Sequence, residues 1–211
     1  MARTKAASEL QEVHGKLVNV LGLDPGSRDG AAVVVRNGVA IRWWTWRYLR
    51  AKGGRYAVTR GQMSGVDKFD LPTMHDVGRS IASGGPFHHA VIEGLYTPPA
   101  NGRRRVNPQS VIPLAEACGE VMGPIKGVTL GDLYRPLASE WRRKVLRLGR
   151  ATAAQAEQRA IREAMSRLVW VADPSEVVST KELGAVCEAS MMALWVPDAA
   201  GCSGSTRGEN E

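Results

Sequence analysis

The 211 residues carry 28 Lys and Arg against 21 Asp and Glu, a formal net charge of +7, and 44% of them are hydrophobic. That share is enough for the core of one ordinary domain, and no apolar run reaches the ~18 residues a spanning helix needs. Three cysteines without a CxxC pair (Cys118, Cys187, Cys202) argue against a disulfide framework or a zinc knuckle and for a reducing, cytoplasmic setting. The surplus of positive charge suits a polyanionic partner.

Residues 1–15 are polar and mixed, without the apolar stretch of a secretory signal, and are expected to be a disordered extension. A domain is expected over residues 16–196, and the Gly-, Ser- and charge-rich residues 197–211 read as a disordered tail. The domain opens with three strand signals. Leu17–Leu23 stops at the turn sequence Asp24-Pro25-Gly26, Ala31–Arg36 is followed by the hairpin signal Asn37-Gly38, and Val39–Leu49 is long and aromatic. Together they predict an antiparallel meander.

Arg50–Leu71, rich in Gly and charge, reads as a loop. A helix is predicted over Pro72–Ser83, a short buried strand over His88–Leu95, a basic loop over Thr97–Val106, a helix over Pro108–Met122 and a fifth strand over Val128–Tyr134. Helices follow over Ala138–Leu146, Ala151–Val169 and Thr180–Trp195. The order predicts a layered α/β domain, with a mixed five-stranded sheet flanked by helices.

Three carboxylates break the apolar pattern. Asp24 ends the first strand, where it could equally be an ordinary turn residue. Glu93 lies in Ala90-Val91-Ile92-Glu93-Gly94-Leu95, where an unpaired charge costs several kcal/mol; a salt-bridged or edge-facing Glu is the bland alternative. Glu188 lies on the nearly all-apolar helix Leu183–Trp195, with Gly184, Ala185, Met191 and Met192 in the places where a helical Lys or Arg partner would stand. A divalent cation or an Arg from another segment could neutralise it. Three carboxylates from two strands and a late helix suit hard cations, and two such ions ~3.5–4 Å apart can drive phosphodiester hydrolysis.

Val20-Leu21-Gly22-Leu23-Asp24-Pro25-Gly26-Ser27 resembles the opening motif of RuvC-type Holliday junction resolvases. Ala90–Tyr96 is similar to their second motif, a strand glutamate followed three places later by an aromatic, and Val186–Leu194 to their closing helix. The resemblance spans Lys16–Val196 and implies a ribonuclease H-like fold. It further implies a homodimer acting on four-way DNA junctions in a bacterial cell or phage-infected host. Asp24, Glu93 and Glu188 would be the catalytic acids and ligands of Mg2+ or Mn2+, two ions per subunit, and Tyr96 would stack near the junction centre. One departure is Ala185, which stands where the family commonly has another acid or a His. Glu182 is ~120° away around the helix and substitutes poorly.

Two basic segments suit phosphate contacts: Arg103, Arg104 and Arg105 after the second motif, and Arg142, Arg143 and Lys144 with Arg135, Arg147 and Arg150. Both could equally be solvated faces, and Trp141 a core anchor. His75, His88 and His89 read as structural. Competing readings are a ribonuclease H-like nuclease for another branched DNA or RNA, and a junction binder weakened at Ala185. An actin-like ATPase is disfavoured by length and by the lack of a second phosphate loop, so no nucleotide cofactor is expected.

Overall fold

The computed structural model describes residues 17–25, 29–50, 56–64, 66–69, 71–94 and 108–196. The predicted extension 1–15, the tail 197–211, Tyr96 and Arg103–Arg105 lie outside them.

The meander forms as the sequence predicts. Strand β1 (Asn19–Asp24) pairs antiparallel with β2 (Asp29–Arg36), and β2 with β3 (Val39–Arg50). Asn37 and Gly38 take φ of 46° and 79°, the left-handed geometry of a tight hairpin that Asn and Gly tolerate best. On the other side of β1, strand β6 (His89–Ile92) runs parallel to it, with Leu23 opposite Ile92, and β7 (Leu133–Tyr134) runs parallel to β6. This mixed sheet flanked by helices is the predicted layered α/β architecture.

Two expectations are corrected. Arg50–Leu71 is not a loop throughout: it holds β4 (Tyr56–Met63) and β5 (Val66–Phe69), which extend the sheet in the order β5-β4-β3-β2-β1-β6-β7. The long β3 offers its free edge, and backbone pairing such as Trp44 with Met63 outweighs the absence of a strand pattern. Helix α2 (Pro108–Lys126) runs past Met122, and the fifth strand shrinks to two residues, Leu133–Tyr134, preceded by a single bridge of Thr129 with Phe87. A further strand, β8 (Val169–Trp170), pairs with the start of β3.

Helices cover both faces. Alternation sends Leu21, Leu23, Ala32, Val34, Trp44 and Trp46 to one side, against α1 (Met74–Ala82) and α2. It sends Val20, Ala31, Val33 and Trp43 to the other, against α3 (Ala138–Val145), α4 (Ala153–Arg167) and α5 (Thr180–Ala193). The three tryptophans of β3 are core residues on two faces, each at most 2% exposed. Helix α5 starts in a capping box: the Ser179 hydroxyl accepts from Glu182 N–H while the Glu182 carboxylate accepts from Ser179 N–H.

Gly22 fixes how closely α5 approaches the sheet. A Cβ there would collide with the Ala189 carbonyl oxygen and stand 2.8 Å from Ala193 N. No other residue type permits this contact, which carries Glu188 down beside β1.

Candidate functional site

Asp24 and Glu93 end neighbouring parallel strands, and the Glu93 N–H donates to Leu23 O at 3.3 Å. The alternation that turns Val20 toward α5 continues through Gly22 to Asp24. Both acids therefore stand at the carboxyl rim of the sheet, where α5 presents Glu188.

Helix α3 supplies what fills the rim. Glu140 accepts from Leu137 N–H and caps its start. Trp141 is fully buried, as the core-anchor reading expects, and its indole Nε1 donates to Glu93 Oε2 at 2.9 Å. The next residue, Arg142, places one nitrogen, Nη2, 3.2 and 3.4 Å from the two oxygens of Glu188 and 3.9 Å from Glu93 Oε2. Its guanidinium lies 5.2 Å from the Trp141 ring centroid. Of the two occupants that the sequence leaves open for Glu188, the structure supplies the arginine. Arg142, expected at a DNA surface, turns inward between the acids, while Arg143 and Lys144 remain exposed.

The electrostatics follow from burial. Glu188 is 13% exposed, and its carboxyl is pushed up to about 7. Desolvation is the largest cause, Arg142 pulls the other way, and the negative charges of Glu93 and Glu157 add to the rise. Burial also pushes the Cys118 thiol up to about 11 and Cys187 to about 12, so neither is a thiolate nucleophile at neutral pH. Asp24 raises Cys118 and Arg135 lowers it, which puts all three in one electrostatic neighbourhood.

Two carboxylates converging on one positive nitrogen form a donor set that a hard divalent ion also takes. With Arg142 in that position, no group of three or more His, Cys, Asp or Glu side chains among the described residues is gathered to hold a metal ion. The structure thus brings Glu93 and Glu188 together around a cation, with Asp24 on the adjacent strand end. Ala185 brings no further donor, and Glu182 is held at the helix start by its cap and by Arg47 at 4.0 Å.

Among the described residues, one cavity opens at the rim and another lies on the far side of α3. The first, about 340 Å³, lies between β6 and α2 and is lined by Glu93, Cys118 and Arg135. The other, about 470 Å³, lies behind α3 and is lined by Lys144, Arg147, Arg159, Arg167 and Glu163. Arg159 and Arg167 escaped the sequence reading. Their i,i+4 pairing with Glu163, at 2.8 and 3.8 Å, resembles that of any solvated helix. The signal that could have found them is the recurrence of Arg at 159, 162 and 167 on a helix following the Arg142–Lys144 cluster. Two of the histidines read as structural are so: His88 Nδ1 accepts from Asn19 N–H at 2.9 Å, and His89 packs against Tyr134, while His75 is exposed. Among the described residues no helix is long and apolar enough to cross a membrane.

No family model and no curated protein matches the sequence. Solved structures that resemble the chain include Thermus thermophilus RuvC, at 12% identity and a TM-score of 0.45, covering 84% of this chain and 94% of the other. The same protein in complex with Holliday junction substrate gives 10% identity, a TM-score of 0.41 and coverages of 84% and 96%. The yeast mitochondrial Holliday junction resolvase Ydc2 gives 9%, 0.44, and coverages of 88% and 80%.

Proposed function

We propose that this protein is a structure-selective endonuclease that hydrolyses phosphodiester bonds in branched DNA, with the four-way junction as its substrate. The observation that carries this reading is the convergence of Glu93 and Glu188, from a strand end and a distant helix, on one cation position beside Asp24. The motifs around the three acids point to the same chemistry.

Asp24, Glu93 and Glu188 would hold Mg2+ or Mn2+, which when bound supplies charge to the phosphate and lowers the pKa of the attacking water. Trp141 orients Glu93 through its indole N–H. Burial pushes the Glu188 carboxyl up to about 7, so it titrates around physiological pH, and a bound divalent ion would favour its ionised form. Arg143, Lys144 and the cations behind α3 would bind the DNA backbone, as Tyr96 and Arg103–Arg105 would by their sequence position. A homodimer would present two such sites for paired cuts.

Labelled four-way junction, plain duplex and RNA–DNA hybrid, each with and without Mg2+, test the reading. Symmetric paired nicks on the junction alone, dependent on the metal, are expected. Tight junction binding without a cut in Mg2+ or Mn2+ selects a second reading, a non-cleaving junction binder, which Arg142 in the cation position and Ala185 on α5 favour.

A further inference from the structure

We propose that Arg142 is a positioning residue that keeps the cation position between Glu93 and Glu188 filled until a phosphodiester draws its guanidinium away, coupling divalent-ion binding to nucleic acid. The inference rests on the reading of these two acids as metal ligands.

Arg142 is the cation at the acid pair, and it is imperfectly seated there. A guanidinium carries one positive charge against two carboxylates, so the cluster stays net negative and still attracts a divalent ion. Its Nη2 serves both acids, yet its Nε is buried and has no hydrogen-bond partner. An orphaned buried donor is unfavourable, so the side chain has an incentive to leave. A phosphate removes that cost, because its oxygens accept two parallel N–H bonds from the guanidinium fork.

The route out is short. The Arg142 side chain is 25% exposed, it leans on the Trp141 indole, and Arg143 and Lys144 beside it face solvent. While Arg142 stays, it competes with metal as a tethered ligand, at an effective concentration on the order of millimolar. Metal affinity without nucleic acid is lowered accordingly. When the phosphate takes the guanidinium, two partly buried like charges remain, and a divalent ion would neutralise both.

The test is Mn2+ binding to the nucleic-acid-free protein, followed by paramagnetic resonance of the free ion. Arg142→Gln should bind Mn2+ about tenfold more tightly than wild type, a difference of ~1.4 kcal/mol. Adding guanidinium ion should weaken Mn2+ binding to Arg142→Gln and leave wild type unaffected. Equal or weaker affinity in the variant overturns the proposal, whereas no Mn2+ binding by either protein overturns the metal reading itself.

A second measurement reads the wild-type protein and needs only the conservative Arg142→Lys for assignment. The wild-type Arg142 Nε–H signal, assigned by its loss in Arg142→Lys, should move as Mg2+ is added. A signal that stays fixed while Mg2+ binds overturns the proposal. The coupling is read by rapid mixing with four-way junction, which should raise Mn2+ affinity more in wild type than in Arg142→Gln; equal gains sink it.

Discussion

Trp141 and Glu93 are joined by one hydrogen bond of 2.9 Å, from the indole of a fully buried helix residue to a carboxylate at the end of a central strand. The bond ties α3 to the sheet rim and orients a candidate ligand with a core residue, so packing and chemistry share one side chain. Trp141→Phe keeps most of the packing and deletes the donor. It should cost about 1–3 kcal/mol in denaturant unfolding and about 10–100-fold in junction cutting. Wild-type cutting by this variant would show that the indole does not set the Glu93 orientation.

Gly22→Ala tests the approach of α5. The added methyl meets helix backbone, which cannot rotate away, so α5 must shift outward. A loss of about 1–3 kcal/mol is expected, with a lowered melting temperature and loss of cutting. An unchanged melting temperature would mean that the helix is not pinned at this contact.

The raised carboxyl of Glu188 gives a pH signature in metal-free protein. Its folded value, about 7, lies above the ordinary 4.5, so the folded chain holds this proton more tightly than the unfolded chain. The resulting stability is fully present below the ordinary value and is lost as pH rises through about 7. In chelator, wild-type stability should therefore fall relative to Glu188→Gln across that window. A difference that grows in favour of wild type would mean that the Arg142 charge outweighs burial.

Asp24→Asn should lower cutting by about three orders of magnitude, ~4 kcal/mol of barrier, while junction binding persists. The substitution removes one ligand oxygen charge and leaves the basic faces intact. Binding lost together with cutting would assign Asp24 a structural role.

The cavity behind α3 predicts a salt effect. If it seats one backbone phosphate, the double variant Arg159→Gln, Arg167→Gln should reduce the slope of log affinity against log salt by about 0.9. The variants also break the Glu163 pairs, so unfolding is measured alongside. An unaltered slope in a folded variant removes this cavity from the DNA path.

The meander was legible because its signals are local: Asn37-Gly38 demands one turn geometry, and the flanking runs are rich in β-branched and aromatic residues. Glu93 and Glu188 were legible as acids out of pattern. The neighbour of Glu188 was not, because a helix shows only its own turns, whereas Arg142 arrives from another helix 46 residues away. Strands β4 and β5 were hidden for a related reason. Their segment lacks alternation, and what orders it is pairing with β3 rather than its own composition. Arg159 and Arg167 were visible as charges, but only folding turns them toward Lys144 and Arg147.

The strand order leaves β5 and β7, of four and two residues, at the two ends of the sheet, and β3 is flanked by β8 at its start and β4 further on. Among the described residues, end strands this short offer few unpaired amides and carbonyls of their own, which makes them poor templates for intermolecular stacking. For a protein proposed to act on long polyanions, that lowers the chance that crowding on one strand seeds fibrils.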